Sequence, residues 1–192
     1  MSQPAAALWL AASSVVSCAA AHAEVAINDT LQSYRITGAS EAELRREMNA
    51  KGPLAPGGRR FDGYTRWEIN WRYTYRESGG MCRIQTVATA VKIVMTLPQW
   101  DDERSASNGL RTRWHQFITA LTAHENGHRA HGMDAGREID RAIAALPPQA
   151  NCAAAGAAAN HLGNEIIHKY NELDFDYDRK TGHGLAQGTR FP

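Results

Sequence analysis

From Arg66 to Arg76 the chain alternates: Trp67, Ile69, Trp71, Tyr73 and Tyr75 share one face, and Arg66, Glu68, Asn70, Arg72 and Arg76 the other. A period of two marks a half-buried strand, and its aromatic stripe is better read as a core face than as a substrate platform. "ESGG" (77–80) turns the chain into a second, longer strand over 82–98, with Val87, Val91, Ile93, Met95 and Leu97 on one face. The pair predicts an antiparallel hairpin. Upstream, 24–38 reads as a strand or two, and 40–53 as a short helix with Ser40 as N-cap, Glu43 at the reciprocal position and Gly52-Pro53 as its stop. A Gly- and Pro-rich loop then leads into the hairpin.

Near Asn108 the period changes. Leu110, Trp114, Phe117, Ile118 and Leu121 recur at helical spacing, and the pattern persists to about Leu146, before Pro147-Pro148. A helix of that length is unusual, so a break or bend is expected near Gly132. Residues 153–174 predict a further helix, and 175–192 hold too much glycine for regular structure. Strands first and helices afterwards give an α+β domain.

The long helix carries "HENGH", His124 to His128. In HExxH, two histidines four apart lie one turn apart on one helix face and can grip a single zinc. The glutamate beside the first histidine then acts as general base on the water that the metal activates. At about 100° per residue, His128 lies about 40° and Glu125 about 100° from His124, within the stripe drawn by Leu110, Trp114, Phe117 and Leu121. A carboxylate facing inward is costly without a partner or a task. A metal site made by His124 and His128, with Glu125 as catalytic base, therefore fits better than a solvated polar face. His131 lies on the same face but about 10 Å along the axis from His124, and His115 faces outward. His161, Glu165, His168 and Glu172 form a ladder opposite the apolar stripe of the last helix, most simply a solvated face.

Formal net charge is +1 and there is no Lys/Arg-rich run, so nothing points to a nucleic-acid partner. Residues 5–21 are uncharged and mostly small or apolar, and "AHA" (21–23) fits a signal-peptidase site. Residues 1–23 are thus expected to be a signal peptide, not a membrane span, and 24–192 a single exported domain, periplasmic or secreted. A rival reading acylates Cys18 as a lipoprotein. Export leaves Cys82 and Cys152, which are expected to pair.

The chain resembles the bacterial proteins catalogued as predicted secreted zinc-dependent proteases, formally domain-of-unknown-function family nine-two-two. "HENGH", "YDRKTGHG" (177–184), the closing "QGTRFP" and the tryptophan-rich "WEINWRY" and "TLPQW" carry the likeness. It implies a zincin-like metalloprotease domain of the bacterial envelope, with zinc (Zn2+) as cofactor and a peptide or protein as substrate. A non-catalytic zinc-containing envelope protein and a cell-wall amidase stay open as alternatives. A catalytic zinc usually wants a third protein ligand. Asp134 and Glu138 would serve only if the chain reversed after Gly132. His183, held between two glycines in the family-like tail, is the expected third ligand, Asp178 would orient a ligand histidine, and Tyr177 would donate to the developing oxyanion.

Overall fold

The computed structural model describes residues 25–192 except Pro56. The expected leader, its expected cleavage site and Cys18 lie outside the described residues. The element order is β1 (Ala26–Ile36), α1 (Glu41–Lys51), β2 (Tyr64–Ser78), β3 (Met81–Trp100), α2 (Asn108–Ala144) and α3 (Cys152–Thr181), with short 3-10 turns at Glu103–Ser105 and Leu185–Gln187. This is a mixed α+β fold. No helix among the described residues is long and apolar enough to cross a membrane.

The hairpin forms as the alternation requires. Gly79 and Gly80 take the turn with positive φ (61° and 74°), and Trp67 pairs with Ile93, Ile69 with Val91 and Tyr73 with Val87. A bulge between Thr74 and Tyr75 sets Tyr75 opposite Ile84, so even-numbered Ile84 and Cys82 join the buried face that Val87 and Val91 begin. β1 adds to the other edge of β3, in parallel, giving the order β1-β3-β2. Parallel pairing needs a long crossover, here α1 and β2, which local patterning does not reveal.

α2 is one continuous helix of 37 residues, without the expected break at Gly132. Gly132 makes room for a ring: a Cβ there would lie 2.6 Å from Trp67 Cγ. Gly163 and Gly156 on α3 likewise seat Trp71 and Tyr75. The aromatic stripe is thus a packing face, keyed into notches on both helices. α3 is longer than the glycine content of 175–192 suggests. Its first tail glycine is Gly182, which ends the helix in a left-handed conformation (φ 60°), its N–H donating to Asp178 O. Tyr177 and Asp178 are therefore helical.

Two apolar clusters flank the middle of α2. One joins Val91, Ile93, Ala135, Ile139, Ile143 and Ala159, and the other Leu97, Trp100, Leu110, Trp114, Phe117 and Phe191. His124, Glu125 and His128 lie between them. Phe191 packs against Trp114 and Phe117, with ring centroids 5.7 and 5.1 Å away, and thereby brings the tail back over α2. Cys82 and Cys152 form the expected disulfide, beside a pair of Cys82–Gln149 backbone hydrogen bonds.

Candidate metal centre

Three segments meet. α2 presents His124, Glu125 and His128, all buried. The last turns of α3 present Asp174, Tyr177 and Asp178, three and four residues apart and so on one face. The tail presents His183 and Gln187. Gly184 allows the tail to come in close, since a Cβ there would lie 3.0 Å from His124 Cγ.

Asp178 is the hub. Its Oδ1 lies 3.2 Å from His124 Nε2 and 3.1 Å from His128 Nε2. Its Oδ2 lies 3.2 Å from His183 Nδ1. All three expected ligands thus converge, but His183 meets the outer oxygen of Asp178 while the two helix histidines meet the inner one. His183 is also more exposed than they are, and holds a positive φ of 54°.

The far nitrogens of the buried pair have their own partners. His124 Nδ1 meets Gln187 Oε1 at 2.9 Å, and His128 Nδ1 meets Asp174 Oδ1 at 2.9 Å. Acceptors at both Nδ1 atoms favour N–H there and turn both Nε2 atoms toward the centre. Tyr177 stacks on His124, and its hydroxyl accepts from Gln187 Nε2 at 3.0 Å.

The electrostatics follow from this packing. Burial alone would lower the His128 pKa, but hydrogen bonds to Asp174 and Asp178 and their charges raise it to about 10. Burial would raise that of Asp178, but the bonds from His124 and His128 prevail and hold it well below the usual carboxylate range. Glu125 moves the other way: burial pushes its carboxyl up, against the lowering effect of Thr65 and the two imidazoles. Its Oε2 is buried and has no hydrogen-bond partner among the described residues.

The remaining histidines separate as their helical angles require. His115 pairs with Glu103, His161 with Glu165 on an exposed face, and His168 is exposed. Glu138 binds Lys169 and Tyr170, and Asp134 pairs with Arg137. His131 reaches Asp174 Oδ1 at 2.6 Å instead of the His124–Asp178 cluster. The sequence reading missed Asp174 and Gln187. Asp174 would have been found by extending α3 four residues beyond it, which puts Asp174 and Asp178 on one face.

The donor chemistry suits zinc. One ligand atom each from His124, His128 and Asp178 lies within 4.8 Å of the others. Donors at the usual bond lengths around a tetrahedral zinc lie about 3.3 Å apart, close to the Asp178–histidine separations. The unpartnered Glu125 oxygen beside this set is the kind of buried polar atom that needs an explanation.

Fold and site together define an α+β domain with a histidine–aspartate cluster whose ligand atoms are close enough to hold a metal ion. The chain belongs to the family of bacterial proteins of unknown function DUF922, whose model matches residues 31–184. No curated protein and no solved structure matches.

Proposed function

We propose that this protein is a zinc-dependent hydrolase with a zincin-like site, and that its substrate is a peptide or protein. The observation that carries the reading is Glu125: a carboxylate buried beside the histidine–aspartate cluster, with an oxygen that bonds nothing among the described residues. A purely structural metal site has no use for such a group, whereas a general base requires one. A bound zinc supplies Lewis acidity, which activates a water and polarises a carbonyl.

In this reading His124, His128 and Asp178 hold the metal, and His183 steadies Asp178 from outside. The order differs from the sequence expectation, in which His183 bound and Asp178 oriented. Three protein ligands leave a position open, as catalysis requires; recruiting His183 as a fourth would close the site. Glu125, with its pKa raised by burial, accepts a proton from the attacking water and delivers it to the leaving amine. Tyr177, fixed by its stack on His124, places its hydroxyl to donate to the oxygen that gains charge. The uncharged leader over 1–23 supports export to the periplasm or beyond.

The test is metal analysis of residues 24–192, followed by cleavage of an unbiased peptide library. About one zinc per chain and cleavage abolished in Glu125→Gln support the reading. Zinc without cleavage would leave a non-catalytic envelope protein, and cleavage confined to cell-wall peptides would leave the amidase.

A further inference from the structure

We infer that Asp174 is a positioning residue for the metal centre: it fixes the His128 ring through Nδ1 and is itself held by His131 and Trp67. The inference rests on the zinc reading for its purpose, but on contacts alone for its geometry. Oδ1 of Asp174 meets His128 Nδ1 at 2.9 Å and His131 Nδ1 at 2.6 Å. Oδ2 accepts from Trp67 Nε1 at 2.9 Å. The carboxylate on α3 is thus tied to two histidines of α2 and an indole of β2, and it cannot turn without losing a partner. Trp67 is in its turn packed closely on Gly132. His131, one turn beyond the binding pair, contributes through Asp174.

The alternative is a second cation seat, because His128, His131 and Asp174 also offer ligand atoms within 4.8 Å of one another. It would require His128 to bind metal through Nδ1 while Nε2 faces the first site, leaving an imidazole with no proton. Hydrogen bonds from His128, His131 and Trp67 to Asp174 satisfy the same groups without an ion. A carboxylate on the far nitrogen of a ligand histidine fixes the ring's orientation and strengthens it as a ligand.

The experiment follows the His128 Nδ1–H proton by NMR and zinc affinity by competition titration in the same variants. In metal-free wild type that proton should be slow to exchange. It should persist in Asp178→Ala and vanish in Asp174→Ala. Zinc affinity should fall about 10–100-fold in Asp174→Ala, recover largely in Asp174→Asn, which keeps an acceptor oxygen, and fall less in Trp67→Phe and His131→Ala. Should Asp174→Ala not fold, Trp67→Phe and His131→Ala carry the test: each loosens a partner of Asp174 and should speed exchange of the His128 Nδ1–H proton, and a proton as slow as in wild type in both would overturn the inference. An unchanged Nδ1–H proton with zinc affinity within about twofold of wild type would overturn the inference. So would two zinc ions per wild-type chain with one lost in Asp174→Ala. A protein that takes up no zinc sinks the hydrolase reading, while the metal-free proton still decides what Asp174 holds.

Discussion

Tyr177 lies flat on the His124 imidazole, ring centroids 5.0 Å apart and planes 12° from parallel, and Gly127 leaves the space for it. A Cβ at Gly127 would lie 2.5 Å from Tyr177 Cζ. Gly127→Ala should therefore push the tyrosine away. Alanine favours the helix by about 1 kcal/mol, while overpacking typically costs about 1–3 kcal/mol. Net destabilisation in thermal unfolding is expected, with turnover reduced. Tyr177→Phe separates the hydroxyl from the stack: it should retain zinc affinity and lose about 100-fold or more in kcat. Equal kcat in Tyr177→Phe would confine the tyrosine to packing.

Glu125→Gln removes the buried charge and keeps the shape. Turnover should drop by about 10²–10⁴-fold with zinc still bound. Stability should move the opposite way. A carboxyl whose pKa is raised on folding opposes folding increasingly as pH climbs above its unfolded value of about 4.5. The metal-free Gln variant should thus gain on wild type as pH rises from about 4.5. Denaturant unfolding at pH 4.5 and 7.5 measures it, and a pH-independent difference would contradict the burial argument.

The periodic elements were legible because their signal is local. Alternation gave β2 and β3, helical spacing gave α2, and the angle of His124, Glu125 and His128 to the apolar stripe correctly placed them indoors. What escaped depends on pairing at a distance. The parallel seat of β1 leaves no mark in its own residues. Gly132 read as a weak point because its partner, Trp67, lies 65 residues away in the chain. The tail was misjudged for one reason: its glycines begin only at Gly182, so Tyr177 and Asp178 belong to α3 and share a face with Asp174.

The His128 pKa of about 10 applies to the metal-free protein and makes zinc compete with a proton. A histidine pKa raised above about 6.5 on folding gives stability that is complete below that pH and is lost as pH rises toward 10. Metal-free protein should accordingly weaken over that interval. Zinc affinity should climb by about tenfold per pH unit between 6.5 and 8.5, with proton release visible by calorimetry in buffers of different ionisation enthalpy. A flat profile would mean that His128 is already neutral.

The Cys82–Cys152 bridge closes a loop across a sequence separation of 70 and joins the start of β3 to the start of α3. Loop-closure entropy assigns it about 4 kcal/mol. Cys82→Ser with Cys152→Ser should lower unfolding stability by roughly that amount, read from chemical denaturation, and leave zinc affinity nearly unchanged. The proposed metal site lies at the other end of α3, so a large loss of affinity would show that the bridge also sets the α2–α3 geometry.

Asp178 and His183 divide the question of the third ligand. Oδ1 of Asp178 stands 3.2 and 3.1 Å from the two Nε2 atoms, whereas His183 meets Oδ2 at 3.2 Å, from a more exposed position. If Asp178 binds and His183 supports it, Asp178→Ala should nearly abolish zinc binding. His183→Ala should cost about 10–100-fold, the usual range for an outer partner of a ligand. If His183 binds directly, as its glycine-flanked setting first suggested, the ranking reverses. Asp178→Asn refines the comparison, since it keeps an oxygen in place but loses the charge that holds both histidines. Cobalt substitution gives an independent readout, because the visible spectrum reports coordination number. A four-coordinate spectrum unchanged by His183→Ala supports three protein ligands and an open position. A spectrum altered in His183→Ala, together with zinc loss as deep as in Asp178→Ala, would make both residues ligands and close the site that hydrolysis needs open.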